Sequence, residues 1–106
     1  MHAWQGMSER KVVYWHRDLP PVAAEPISED EVEASGPHHP LGTEEQELWA
    51  RSREALLATA ERRIAQEVTI KGGTYAHVND DHVEAHADHS IGESWLRGRY
   101  SFVIYR

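Results

Sequence analysis

One long amphipathic segment, residues 43–70, most limits the folds that this chain can adopt. Its apolar side chains recur at three-, four- and seven-residue spacing, as they do on one face of an α-helix. They are Trp49, Leu56, Ala60, Ile64 and Val68, with Leu57 widening the stripe. Thr43 is expected to act as the N-cap, and Gly72 to end the helix in the left-handed conformation. The extended segments on either side are expected to pack on the apolar face of this helix.

Four stretches around the helix predict β-strands. Residues 11–16 and 94–105 are rich in β-branched and aromatic side chains. Residues 74–79 form a similar stretch, which Asn79-Asp80-Asp81 should end. Within the ambiguous stretch 26–35, Ser28–Glu31 fits the opening of a short helical turn and Glu31–Ser35 fits an edge strand protected by its charges, and the strand is favoured.

These elements predict an α+β fold in the order β-β-α-β-β. One long helix should pack on a three- to four-stranded, mainly antiparallel sheet as a two-layer sandwich. Residues 36–42 are expected to form a loop, residues 1–10 a flexible N-terminal extension, and residues 11–106 a single domain. In the closing strand, the side chains expected to point into the core are Leu96, Tyr100, Phe102 and Ile104.

The charge and cysteine content of the chain exclude several classes of function. The formal net charge is −7 at pH 7 and Lys and Arg do not cluster, so neither nucleic acid nor an anionic membrane is expected as a partner. Without cysteine, the chain has no disulfide, thiolate metal ligand or cysteine nucleophile. It also lacks an apolar run of transmembrane length and the apolar core of a signal peptide, so a cytoplasmic location is expected.

The histidine-rich segment 77–89 holds the sharpest candidate site. Residues 82–91 fit a strand, a short helix or a plain acidic loop. A strand would gather alternate residues on one face, and a helix would gather residues three and four apart. Either arrangement groups imidazoles and carboxylates, which suit Zn²⁺ or Ni²⁺, although no cofactor is assured. The candidate metal ligands are His82, Glu84, His86 and His89.

A second candidate site lies on the closing strand. Arg97 and Arg99 should project from one face beside Trp95, where they could hold an anion or stack on the ring of a small ligand. Pairing of these arginines with acidic residues of a neighbouring strand is the simpler expectation. A small enzyme pocket that combines one of them with His16 and His77 is a further hypothesis.

Motifs that identify catalytic sites are missing from the sequence. It has no Walker loop, no dinucleotide-binding glycine pattern, no nucleophile elbow and no H-E-x-x-H motif. His16 and Asp18 could form a catalytic pair, but a histidine at a strand end, held by the aspartate, is the simpler expectation. An enzyme is therefore less expected than a binding or interaction domain.

Several short segments occur here in a recognisable order. They are Leu19-Pro20-Pro21, Val32–Gly36, Glu54–Ile70, Gly72–Val78 and Leu96–Tyr105. In this order the chain resembles the small YbjQ-like and RcsF-like bacterial domains. Gly72–Val78 is the best-matching segment, but Tyr75 and His77 depart from the small or apolar residues of that group. The resemblance implies a similar fold; several YbjQ-like members assemble as rings, and the group has been described as heavy-metal-binding. RcsF-like members are disulfide-bonded, which this chain without cysteine cannot be.

The function predicted from these observations is that of a small non-enzymatic domain that acts through protein contacts. It is expected to be a homo-oligomer or to bind a protein partner. The alternative is a metal- or small-ligand-binding module that uses residues 77–89.

Overall fold

The computed structural model of the protein describes residues 11–18, 25–42 and 46–106. Its strands are β1 (Val13–Trp15), β2 (Pro26–Ser35), β3 (His39–Pro40), β4 (Tyr75–Asp88) and β5 (Glu93–Tyr105), and its helix is α1 (Gln46–Ile70). The α+β class predicted from the sequence is confirmed. The predicted N-cap Thr43 and the predicted extension, residues 1–10, lie outside the described residues.

Helix α1 buries the stripe that its sequence period predicts. The buried residues are Ser52, Leu56, Ala60, Ile64 and Val68, and Trp49 packs partly buried against the same core. They follow one another at steps of three and four, so they form a single row along the helix. Leu57 lies off this row and is 40% exposed, so the prediction that it widens the stripe is wrong.

The double glycine after α1 ends the helix and returns the chain to the sheet. Gly72 has a φ of 74°, as predicted for a residue in the left-handed conformation. The N–H of Gly73 donates to the carbonyl of Val68 at 2.8 Å, and that of Gly72 donates to Thr69 at 3.1 Å. These two bonds form a Schellman motif, which satisfies carbonyls of the last helical turn. A Cβ at Gly73 would collide with Ile104, so a side chain here would separate helix and sheet.

The sheet has five strands, with the order β1-β4-β5-β2 and with β3 pairing β5 beside β2. Strand β1 runs parallel to β4, and the other pairs are antiparallel. The predicted strand count and order are therefore wrong, because the stretch 36–42, predicted as a loop, contains β3. His39 and Pro40 pair with Ser94 and Glu93. A proline is tolerated there because β3 lies at the sheet edge, where a missing N–H costs no ladder bond.

Strand β4 continues through the predicted break at Asn79-Asp80-Asp81, so that prediction is wrong. A register shift between Val78 and Asp80 marks a β-bulge, which takes up one extra residue while both sides stay paired with β5. Of the alternatives for the histidine-rich segment, the strand is confirmed as far as Asp88. The bulge also exchanges the two faces: even-numbered residues of β4 face the helix before it, and odd-numbered residues do so after it.

Strand β5 lies in the middle of the sheet, with β4 on one side and β2 and β3 on the other. Its predicted core residues are confirmed, since Leu96, Tyr100, Phe102 and Ile104 are all at most 5% exposed. Gly98 lies under the ring of Tyr100, where an added Cβ would collide with the ring atoms. These residues and the helix row form one core between α1 and the sheet.

The second face of the sheet, which we call the open face, has no covering helix among the described residues. It carries the residues of β5 and β2 with odd numbers and, after the bulge, the residues of β4 with even numbers. Antiparallel sheets commonly bury one face and leave the other to solvent or to a partner. No described helix is long and apolar enough to cross a membrane.

Candidate functional site

The two sites predicted from the sequence lie side by side on the open face. The register of β4 and β5 pairs His82 with Arg99, Glu84 with Arg97, and His86 with Trp95. Residues directly opposite in an antiparallel pair project from the same face, with Cβ atoms about 5 Å apart. The structure therefore joins into one surface two sets of residues that were predicted separately.

Glu84 lies between two histidines of its own strand. Its Oε2 is 3.3 Å from Nε2 of His82, and its Oε1 is 3.1 Å from Nε2 of His86. These hydrogen bonds, first that of His82 and then that of His86, lower the pKa of the Glu84 carboxyl from its usual value. The three side chains share one face because successive residues of an extended strand point to alternate faces. None of the three is buried.

The four predicted metal ligands do not form one set. The helical arrangement that would add His89 to His82 and His86 is wrong, because His89 follows β4 in the exposed turn before β5. His82 and His86 are four residues apart along an extended strand, or roughly 13 Å at 3.3 Å per residue. Within residues 11–18, 25–42 and 46–106, no three His, Asp or Glu side chains converge to hold a metal ion.

The two predicted arginines differ in their surroundings. Arg97 donates to Glu33 of β2 with an Nη2–Oε1 distance of 2.6 Å, whereas Arg99 has no ion pair with any residue the structure describes. Both line an open depression of about 160 Å³ together with Glu33, His82, Glu84 and Gly98. Because two carboxylates share this depression with two guanidinium groups, its charge is close to balanced and gives no strong attraction for an anion.

Trp95, the third predicted ligand-binding residue, lies between two imidazole rings. The ring of His38 stacks on it with centroids 4.1 Å apart and planes 8° from parallel, and that of His86 does so at 5.9 Å and 16°. His38 immediately precedes β3, and β3 and β4 flank β5 on opposite sides, so the two imidazoles approach Trp95 from opposite sides of its strand. His38 is also anchored by Glu93, with an Nδ1–Oε1 distance of 2.9 Å. This stack was missed from the sequence because it depends on the pairing of β3 with β5.

His39, next to His38, points to the helix side of the sheet. Its ring meets that of Trp49 edge-on with centroids 4.7 Å apart, and the residue is only 8% exposed. Neither of its ring nitrogens, nor Oγ of the paired Ser94, has a hydrogen-bond partner among the described residues. The two adjacent histidines thus lie on opposite faces and cannot hold one ion together.

His16 also lies on the helix side, where Nε2 is 2.6 Å from Oδ1 of Asp81. The predicted pairing of His16 with Asp18 is wrong. Asp18 instead accepts from the backbone N–H of Trp15 at 2.7 Å and from Nζ of Lys11 at 3.0 Å, and these two bonds lower the pKa of its carboxyl. His16 and the two arginines of β5 therefore lie on opposite faces of the sheet.

The open face thus combines a row of alternating histidine and acidic side chains on β4 with a stacked row of His38, Trp95 and His86. Comparison with family models, with curated proteins and with solved structures gives no match for this chain.

Proposed function

We propose that this chain is a non-enzymatic α+β domain that acts through protein contacts and assembles as a homo-oligomer through its sheet. In the two-layer sandwich that we propose, α1 forms one layer, and the sheet forms the other and offers its remaining surface to a partner. The compartment that we propose is the cytoplasm, because a chain without cysteine needs no oxidising environment.

The outer edge of β4 is the observation that carries this proposal. Strand β1 pairs with β4 only at Ala76–Val78, whereas β4 continues to Asp88. Beyond the bulge, no strand in the described part of the chain borders β4 on that side. An edge of this length presents backbone N–H and C=O groups that can pair with a strand of another chain.

The surfaces beside this edge offer side-chain contacts for the same partner. On the helix side, an open groove of about 470 Å³ is lined in part by Trp49, Val83 and Leu96. Near the end of the edge, Ile91 is 57% exposed in the turn before β5. Aromatic residues are enriched at the centres of protein interfaces. The resemblance to YbjQ-like domains gives further support, because several of those domains assemble as rings.

Sedimentation velocity from low to high micromolar concentration, together with size-exclusion chromatography and light scattering, tests the proposal. A mass that is a multiple of 12.1 kDa, with a concentration-dependent approach to it, is expected. A single species at the monomer mass at the highest concentration would contradict homo-oligomerisation.

The alternative function is that of a metal- or small-ligand-binding module, and the position of Glu84 favours it. This carboxylate contacts both His82 and His86, so Glu84 and one of these imidazoles would offer an oxygen and a nitrogen to a Zn²⁺ or Ni²⁺ ion, with water at the remaining positions. A ligand that binds the native state raises the melting temperature. We expect such a rise with about tenfold metal excess, its loss in His82→Ala/His86→Ala, and its retention in the control His89→Ala. An unchanged melting temperature in the unsubstituted protein would remove this alternative.

A further inference from the structure

The exposed part of β4 can match unlike side chains with a reversed copy of itself when the two copies are offset by two residues. On the open face, acidic side chains alternate with imidazoles in the row Asp80, His82, Glu84, His86, Asp88. When a strand pairs antiparallel with a second copy of itself, residues placed symmetrically about a two-fold axis face one another. The residue on the axis decides which side chains meet.

Only some positions of the axis bring unlike side chains together. With Glu84 on the axis, Glu84 faces its own copy and His82 faces His86, so like groups oppose each other. With Ala85 on the axis, Glu84 faces His86 of the second copy, and His82 faces Asp88 of the second copy. The second register makes each of these pairs twice, because the dimer is symmetric.

A register centred on Val83 also matches unlike groups, but it is obstructed at one end. It would place Asp88 of the second copy against Val78, whose outer edge is already paired with β1. That ladder would also include the bulge, which interrupts regular pairing. The register centred on Ala85 runs from His82 to Asp88 and avoids both obstacles.

Side chains on the helix side of the edge fit the same register. Val83, Ala85 and Ala87 all project there and are small, and with Ala85 on the axis Val83 faces Ala87 of the second copy. Val83 and Ala85 also line the groove beside α1. The pairing therefore brings apolar side chains together on one face and histidine–carboxylate pairs together on the other.

We propose that the protein forms a two-fold dimer in which His82–Asp88 of β4 pairs antiparallel with the same residues of a second copy, with Ala85 on the axis. This inference rests on the proposed function and names the partner and the contact. The sheet then runs continuously through both copies, and both helices lie on the same side of it.

Single cysteines test the register, because the natural chain has none. Ala85→Cys should form a disulfide-linked dimer on mild oxidation, since only the residue on the axis lies opposite its own copy within the reach of a disulfide. Val83→Cys reports the competing register and should cross-link far less. Ser35→Cys lies at the opposite edge of the sheet and is the matched control.

A charge substitution tests the side-chain pairs. His86→Glu would place two glutamates opposite each other at both symmetric positions, so the dimer dissociation constant should rise about tenfold or more. Adding Glu84→Lys to this variant restores unlike charges and should restore the dimer. Gln66→Glu adds the same charge on the exposed side of α1 and should leave the dissociation constant unchanged.

Three outcomes separate this inference from the broader proposal. A dimer that cross-links through Ala85→Cys, weakens with His86→Glu and recovers with Glu84→Lys supports the pairing. If His86→Glu leaves the dimer dissociation constant unchanged, or if the dimer cross-links through Val83→Cys or Ser35→Cys instead, the proposed pairing is wrong. Homo-oligomerisation itself is then still supported. A monomer at all concentrations overturns both.

Discussion

The two faces of β5 differ in the polarity and the exposure of their side chains. Towards the helix, its side chains are apolar and almost inaccessible, and they stabilise the fold because apolar area leaves water. Towards the open face, the same strand presents Trp95, Arg97 and Arg99, whose contacts come from neighbouring strands. We therefore expect substitutions on the first face to lower stability and substitutions on the second to leave the fold intact.

The largest expected effect compares two neighbours on β5 that point in opposite directions. Ile104 is fully buried on the helix side, so Ile104→Ala should lower the free energy of unfolding by about 2–5 kcal/mol. Val103 is half-buried on the open face, so Val103→Ala should cost at most about 1 kcal/mol. Urea unfolding of both variants measures the difference. Equal decreases in the free energy of unfolding would contradict the expected difference between the two faces.

A smaller effect is expected from adding one methyl group under a buried ring. Gly98→Ala should cost about 1–3 kcal/mol, because its Cβ would collide with the ring of Tyr100. In a Tyr100→Leu background the same substitution should cost less, since the colliding ring atoms are gone. A double-mutant cycle by chemical unfolding measures this coupling. A cost that is the same in both backgrounds would show that the ring is not the cause.

Acid should lower the stability of the fold in part through Asp30, which lies on the helix side of the sheet opposite Phe102. Hydrogen bonds, first from Ser28 and then from Lys71, lower the pKa of the Asp30 carboxyl below its usual 3.8. Because the folded-state pKa lies below the unfolded one, this contribution is present above pH 3.8 and is lost as the pH falls through the folded-state pKa.

Asp30→Asn should therefore lower the free energy of unfolding at pH 7 by less than about 1 kcal/mol, given solvent screening. The difference between the variant and the unsubstituted protein should shrink as the pH falls below the usual aspartate value. Urea unfolding at neutral and acidic pH measures this difference. A difference that does not change with pH would assign the effect to packing.

The smallest expected effect lies on the open face, in the pair of Arg97 and Glu33. Their side chains are 50% and 45% exposed, so their coupling should be under about 1 kcal/mol. A double-mutant cycle of Arg97→Ala and Glu33→Ala measures it. The coupling should fall further with added salt, and a coupling insensitive to salt would indicate a contact of another kind.

The helix and the central strand could be predicted because a single face of each is buried. The apolar period of α1 and the alternation of β5 are local properties of the sequence, and both are confirmed. Strand β3 was missed because turn residues predominate around it, while its pairing with β5 depends on residues distant in sequence. The continuation of β4 was missed because Asn79-Asp80-Asp81 is typical of a turn, and here pairing with β5 outweighs that local preference.

The side chains of the candidate site were predicted more accurately than their partners. Alternation alone placed His82, Glu84 and His86 on one face in the strand alternative, and Arg97 beside Trp95. The partner Glu33 comes from β2, and His38 immediately precedes β3, so both could be assigned only once the register with β5 was known. Periodicity gives the face of a side chain, whereas its neighbours across the strands require the topology.

Strand β5 comes last among the described strands, yet it is the only described strand that pairs with β2 and with β3. During synthesis, residues 26–35 therefore leave the ribosome well before the residues that will complete their hydrogen bonds. Pairing between segments so distant in sequence slows folding. A strand that is still unpaired can aggregate with other chains. Strand β2 carries three glutamates, Glu29, Glu31 and Glu33. Their negative charges should oppose such association while β2 is unpaired. We therefore expect the acidic composition of this strand to oppose aggregation of the nascent chain before β5 pairs with it.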